Sequence, residues 1–477
     1  MDGLKKPLPD ELVIKILFHC DGQTFMRCAR ACKRFHRIAA GMGADKSKYW
    51  YHAVKRDIEP SLISQLLLNH PVELGDKIHN LYQVLYSEAS ADDAIYWPAR
   101  YDPWYQLYTK WFSGSQLKNK SFTRYNVDGL HNNHVAIIKQ SGDLVITGHY
   151  NGAVAVHNCT SDTMTYITVH LREITGIALV NLTLHQSFKY LENAKCNHHH
   201  IISIARGGHL RCYPIFPTEE TDGSSTLSTR LAEKDLNDVR VFGNQCVVQT
   251  KDAFFVLKIT LPKSANRDFR SADSLITPLE ISKMHTISIN TNICFKATSW
   301  MNFWRNKITH VDGLTFRIDI HDSACKDWIW DYTPEFSSTL SLTGSQNKNR
   351  AVISRAFLFR DKIALFVSST GGVYVTLDLD TIQEIPTLEH FDAGVSVISY
   401  WGSLIAFGLT NGKIYGYSVL ESSKLLSLDL SDPIFVRHID PDRGSEAIVS
   451  LDVYNSGSGY SIAASTLYSL TVFKSVG

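Results

Sequence analysis

Three places in the chain bring together residues that could do chemistry, and each fails on spacing. Gly408-Leu409-Thr410-Asn411-Gly412-Lys413 has the glycine and lysine of a phosphate-cradling loop, but it is one residue short, and Ile414 stands where a Ser or Thr would meet magnesium. It reads as a hairpin turn. His198-His199-His200 offers imidazoles, yet consecutive strand residues point to opposite faces, and no Cys, Asp or Glu follows at ligand spacing. The nine cysteines include no CxxC pair, which argues against a zinc module and against a disulfide framework. Cys28 and Cys32 share a helix face and read as small buried hydrophobes. HExxH, GxSxG and dinucleotide fingerprints are absent. The expectation is a protein that is not an enzyme and that uses no metal and no cofactor. What remains for recognition chemistry is arginine: Arg206, Arg211, Arg240 and Arg317 lie in or beside β-rich runs and are the candidate substrate-binding residues. Each has the plain alternative of a solvated surface side chain.

The elements that must position such residues fall into two kinds. Residues 8–40 are helical in pattern: Asp10 and Glu11 suit the positive end of a helix dipole, and Leu12, Val13, Ile16, Leu17 and Cys20 fall on one apolar face. Asp21 and Gly22 end that helix. A second run sets Phe25, Cys28, Ala29 and Cys32 against a cationic side of Arg27, Arg30, Lys33, Arg34 and Arg37, and Phe35 and Ile38 extend the apolar pattern to Gly41. Three short helices cannot bury much surface alone, so some of these side chains need a partner. Further helical periodicity occurs at Leu62, Leu66 and Leu67, at Ile78 to Leu85, and at Trp104, Leu107, Tyr108, Trp111 and Phe112, where a short aromatic helix should begin just after Pro103. Such an aromatic stripe is core, and its expected job is to fix the distance and angle between the N-terminal hook and the larger C-terminal part.

The hook resembles the F-box, the docking module that ties substrate receptors to the Skp-type adaptor of cullin–RING ubiquitin ligases. The residues that carry the likeness are LPDEL from Leu8, then Ile16 and Leu17, Asp21, and CKRFHRIA from Cys32, with Tyr49-Trp50 where the family often has an aromatic. Cys20 and Phe25 sit where leucine is usual, Ala31 where valine is usual and Phe35 where tryptophan is usual. The resemblance implies an adaptor-binding set of Leu8, Pro9, Leu12, Ile16, Leu17, Phe25, Phe35 and Ile38. Residues 1–57 carry 12 Lys and Arg against 6 Asp and Glu, an excess that the rest of the chain reverses. A basic hook suits an acidic docking partner better than nucleic acid, which would demand a basic stripe on the larger part as well.

Beyond Gly114 the period changes from 3.6 to 2. Seven hairpin-like units begin at Leu144, Ile201, Cys246, Lys307, Ile363, Leu404 and Tyr460, roughly forty to sixty residues apart, which marks a radial β architecture. Asn151-Gly152 and Asn411-Gly412 are hairpin-turn signals in which both central residues should take positive φ. These units are similar to divergent WD repeats, most clearly over residues 148–156 and 408–417. No unit ends in Trp-Asp, Trp330-Asp331 falls well after its hairpin, and the Gly-His start is missing, so the family's buried hydrogen-bond tetrad is not assumed. A propeller must close its ring, so a strand within residues 122–138 should complete the sheet that contains residues 467–473. A sandwich or two smaller β domains is the alternative. The polar stretches 217–235, 262–274 and 337–350 read as exposed loops.

The fold class expected is therefore multidomain: an F-box helical domain over 1–57, a helical linker over 58–115, and a WD-repeat-like β-propeller of seven blades over 116–477. The resemblance implies a non-catalytic substrate receptor of an SCF-type E3 ubiquitin ligase, binding a Skp-type adaptor and through it a cullin, with a protein target of unknown identity. The alternative is an adaptor-bound, non-degradative regulator or scaffold. The chain begins without an apolar signal region and has no uninterrupted apolar run of about eighteen residues, so no membrane partner is expected and the location should be intracellular, cytoplasmic and/or nuclear.

Overall fold

The structure, a computed structural model, describes residues 8–41, 44–58, 62, 66, 103–127, 133–180, 200–215, 227–231, 235–242, 245–260, 280–288, 299–304, 307–312, 317–324, 329–330, 336–339, 341–342, 353–359, 363–378, 380–439, 446–455 and 459–475. Four helices come first: α1 (Asp10–His19), α2 (Gly22–Ala31), α3 (Lys33–Gly41) and α4 (Ala44–Asp57). Pro9 is the cap of α1 rather than its first turn, because its ψ of 148° is extended. Asp21 starts a helix instead of ending one: its carboxylate accepts the Thr24 backbone N–H at 2.7 Å and the Thr24 hydroxyl at 2.9 Å, and these bonds hold its pKa below the usual carboxylate value. The aromatic helix α5 (Pro103–Ser113) lies where the spacing predicts it, with Trp104, Leu107, Tyr108 and Trp111 buried. A 3₁₀ turn (Gly114–Asn119) leads from it into the strands. The helix expected over Ile78 to Leu85 lies outside the described residues.

Among the described residues the strands form seven sheets of four or five, and the first strand of each lies beside the first strand of the next. Each predicted hairpin supplies the second and third strands of one sheet. The architecture is a closed propeller. Closure is the expected one: strand Phe122–Asn126 pairs antiparallel with Leu470–Ser475, so chain start and chain end share a sheet. Parts of two stretches expected as loops are ladder strands instead. Leu227–Arg230 pairs with His209–Pro214, and Phe336–Thr339 pairs with Arg317–Ala324.

The Asn-Gly turns differ from expectation. Only Gly152 (φ 89°) and Gly412 (φ 80°) take positive φ; the asparagines do not. Gly152 N–H bonds to His149 O at 3.0 Å, so Tyr150 and Asn151 are the central pair of the turn and the glycine follows it, the geometry of a type I turn with a one-residue bulge. The asparagine serves through its side chain, since Asn151 Oδ1 accepts from Ala153 N–H at 3.0 Å and Asn411 Oδ1 from Lys413 N–H at 3.2 Å. A Cβ at Gly152 would come within 2.2 Å of the His170 carbonyl oxygen. No other residue fits there.

Polar side chains seal the seams between sheets. Where the ring closes, Ile138 N–H donates to Ser450 Oγ at 3.1 Å and Gln140 N–H to the Asp452 carboxylate at 2.8 Å. Buried histidines do similar work inside and between sheets. His149 Nδ1 lies 3.2 Å from the Asn133 carbonyl, so it carries the proton and leaves Nε2 to accept from Thr147 Oγ1 at 2.9 Å. The same hydroxyl then accepts from His157 Nε2 at 3.1 Å, and His157 Nδ1 is left bare and without a partner. A proton there would put a charge among apolar neighbours, so burial pushes the His157 pKa down to about 4. His170, in the connection between the first and second sheets, bonds Ser203 Oγ at 2.7 Å through Nε2, and burial likewise lowers its pKa to about 4.

Both histidines bind fewer protons folded than unfolded between their native pKa and the ordinary value near 6.5, so stability rises with pH across that window. The propeller should hold its full stability above about pH 6.5 and lose up to about 1.4 kcal/mol per pH unit per histidine on the way down. Melting temperature followed by circular dichroism from neutral pH to about 4.5 checks this, and His157→Gln with His170→Gln should flatten the slope.

Candidate functional site

Helix α1 divides its apolar side chains between two directions. Val13 and Leu17 point inward, and Val13 is 5% and Leu17 2% exposed. Leu12 and Ile16 lie one turn apart on the other side and Leu8 stands just before the helix; they are 44%, 53% and 53% exposed. Pro9 is exposed beside them. Three large aliphatic side chains half in water have no covering partner among the described residues, and covering them would stabilise a complex by roughly 3 kcal/mol. The stripe is also held in place. Arg34 of α3 bonds the Leu8 carbonyl and pairs with Asp10 at 2.6 Å, which ties the start of α1 to the bundle.

A carboxylate at the end of α4 fixes the bundle to the rest of the molecule. Asp57 Oδ2 accepts the first N–H of α2, from Gly22, at 3.1 Å and the Tyr108 hydroxyl of α5 at 2.8 Å. Its other oxygen holds Arg56 Nε at 2.7 Å, and Arg56 and Tyr49 both donate to the Cys20 carbonyl at the end of α1. Burial, then the bond to Asp57, raises the Tyr108 pKa, so the phenol stays neutral and donates. Gly22 is required because a Cβ there would lie 2.3 Å from Tyr108 Cζ. Helix α5 is in turn bolted to the propeller. Ser403 Oγ donates to the Trp111 carbonyl at 2.6 Å, Asn455 Nδ2 to Ser113 Oγ at 3.0 Å, and Lys118 pairs with Asp432 at 2.6 Å. One apolar cluster runs without a break from Val13 and Phe25 through Trp50, Tyr108 and Trp111 to Trp401, Tyr460 and Phe473.

The sequence-predicted residues separate accordingly. Leu8, Pro9, Leu12 and Ile16 form the exposed stripe; Phe35 is half-buried. Leu17, Phe25 and Ile38 are interior, and serve the core of the bundle: the Phe25 ring stacks on Tyr49 with centroids 4.3 Å apart. The candidate arginines do not converge on one point. Arg206 pairs with Glu173 at 3.1 Å, Arg211 donates to the Val169 carbonyl at 2.7 Å, and Arg240 pairs with Asp238 at 3.0 Å. The side chain of Arg317 lies outside the described residues. Of the histidine run, His200 is buried in a strand, while His198 and His199 lie outside the described residues. No group of three His, Cys, Asp or Glu that could hold a metal ion occurs among the described residues, and no described helix is long and apolar enough to cross a membrane. Asp57 and Tyr108 were not singled out as a pair by sequence reasoning, and nothing local marks them.

Residues 7–42 match the family described as F-box-like. No curated protein matches the chain. Among solved structures, the β-propeller domain of Cps50 (Swd1) from Myceliophteria thermophila aligns with a TM-score of 0.47 at 9% identity, over 74% of this chain and 99% of that one. The chain thus carries a small N-terminal helical F-box-like region followed by an all-β propeller.

Because the Asp57 clamp joins three helices, Gly22→Ala should push the Tyr108 ring aside and break its bond to the carboxylate. We expect a loss of about 1–3 kcal/mol in the denaturant unfolding of the hook, followed by the fluorescence of Trp50, Trp104 and Trp111. Tyr108→Phe should cost less, about 1–2 kcal/mol, because Gly22 and Arg56 still hold Asp57.

Proposed function

We propose that the chain is the substrate-receptor subunit of an SCF-type cullin–RING ubiquitin ligase. The observation that carries this reading is the exposed Leu8, Leu12 and Ile16 stripe on an F-box-like hook whose Val13, Leu17, Phe25 and Ile38 are already buried. The stripe docks a Skp-type adaptor, and through it a cullin, while the propeller holds a protein target. The gain in rate is proximity: a target held near a ubiquitin-charged enzyme is presented at high local concentration, and the receptor itself needs no active site. Rigidity supports the reading, since the Asp57 clamp and the seating of α5 on the propeller hold the docking stripe and the propeller at a set separation. A flexible tether would dilute the same effect.

Leu12→Asp with Ile16→Asp tests the docking step. Both side chains are half in water, so the double variant should unfold within about 0.5 kcal/mol per site of the parent. Its affinity for the purified adaptor should fall by at least roughly tenfold in a calorimetric titration, because two carboxylates would be stripped of water at the contact. Unchanged adaptor affinity in the folded variant would remove the basis of the proposal.

A further inference from the structure

A second apolar surface lies on the propeller face turned away from the hook. Helix α5 seats on Ser403, Asn455 and Tyr460, which sit at the turns between first and second strands. The opposite ends of those strands carry the second-to-third-strand turns and the sheet-to-sheet connections, about 20 Å away for strands of six residues. There, the seventh, first and second sheets meet in a continuous strip. Tyr468 is exposed and its ring meets His134 edge-on at 4.8 Å; the His134 carbonyl accepts from Tyr150 N–H at 3.0 Å. Asn133 links the two sides of the first sheet, donating to the Tyr166 hydroxyl at 2.9 Å and accepting from Asn151 at 2.6 Å. Against Gly152 packs the connection that follows Val169: His170 N–H donates to the Gly152 carbonyl at 2.7 Å, and the next residue, Leu171, is 91% exposed. A leucine that far into water, next to a stretch held by the His170–Ser203 bond and by Arg211 on the Val169 carbonyl, is an unfilled contact.

Charge says what fills it. Arg172 follows Leu171, lies against Gly207, and has no ionic partner among the described residues; Arg206 is half-exposed beside it with a single carboxylate, Glu173. Arg355, on the first strand of the fifth sheet, faces the same end of the channel, where its guanidinium bonds only the Val449 carbonyl among the described residues and feels the Tyr150 phenol. We propose that this strip, from Tyr468 across Tyr150 to Leu171 and Arg172, docks a segment of a partner protein that carries carboxylates beside an aliphatic or aromatic side chain. The apolar side chain covers Leu171 and Tyr150, and the carboxylates meet Arg172 and the free edge of Arg206. Single guanidinium edges spaced along a strip suit separate carboxylates better than the three oxygens of one phosphate, which need donors converging on a point. That the partner is a ubiquitination target rests on the receptor reading; the strip's chemistry does not.

The full chain, immobilised without any adaptor, is panned against a phage library of random peptides, and a synthetic copy of the enriched sequence is titrated by fluorescence anisotropy. The expected sequence places Asp or Glu within a few residues of Leu, Ile, Phe or Trp. Its affinity should fall roughly tenfold or more with Leu171→Ser plus Tyr150→Ala, with Arg172→Glu, and with amide replacing carboxylate in the peptide, the last needing no change to the protein. Failure to enrich any sequence, enrichment of basic peptides, affinity unmoved in these variants, or tighter binding of a phosphoserine copy would each overturn the proposal. Since no adaptor enters the assay, none of these outcomes bears on the docking stripe of α1.

Discussion

A three-helix hook of some thirty residues cannot enclose its own apolar face, and much of the molecule reflects how that shortage is resolved. The hook shares a core with α4, α5 and two sheets of the propeller, so that Phe25, Trp50, Trp111 and Trp401 belong to one continuous apolar body. Sharing in this way fixes orientation, because rings packed edge-to-face, such as Tyr108 on Trp111 at 5.1 Å, resist sliding. It also exhausts the inward positions. Leu8, Leu12 and Ile16 are left outside because the inner side of α1 is already filled by Val13 and Leu17, and no further element of the described chain reaches them.

The propeller faces the opposite problem, that of an edge. A sheet ring left open exposes two rows of unpaired backbone groups, and this chain removes them by pairing a strand before the first sheet with its last strand. Apolar packing alone leaves neighbouring inner strands free to slip. Hydroxyls and carboxylates answer backbone groups across the seams instead: Ser450 and Asp452 between the seventh and first sheets, Ser399 to Val453 N–H between the sixth and seventh, and Ser396 to the Ile448 carbonyl beside it. Asp452 is buried far enough that its pKa is raised despite Lys139 at 3.6 Å, a desolvation cost accepted where the register must be unique.

What the sequence disclosed was local, and what it hid was contact between distant residues. Period-2 runs located every hairpin, five of the seven around glycine-bearing turns, since strand alternation and the need for positive φ are properties of neighbouring residues. The turn type was misjudged because Asn-Gly fits either a two-residue turn or the end of a longer one, and the choice depends on where Tyr150 falls in the ladder. The apolar face of α1 was visible, but its division into an inner Val13–Leu17 side and an outer Leu8–Leu12–Ile16 side was not; hydrophobicity alone does not tell a helix which neighbour it will have. Leu17, Phe25 and Ile38, in the adaptor-binding set that the F-box resemblance implies, lie inside the bundle for the same reason. Asp57 was invisible because its partners Gly22 and Tyr108 are 35 and 51 residues away. His170 on Ser203, which pins the connection between the first and second sheets, was hidden because its partner is 33 residues away.

The two exposed apolar surfaces sit at opposite ends of one rigid path, and the path explains why both can be exposed together. From the α1 stripe, force passes through the Asp57 clamp to α5, through Ser403 and Asn455 into the propeller, and along its strands to the connections that carry Tyr150 and Leu171. No glycine-rich or unpacked joint interrupts that path among the described residues. A greasy surface costs a protein most when it can fold back onto another part of the same chain or meet its own copy, and the strands of the propeller prevent the first outcome by standing between the two patches. Separation also keeps one short segment from covering both patches, since the strands of the propeller and the seating of α5 on Ser403 and Asn455 lie between them.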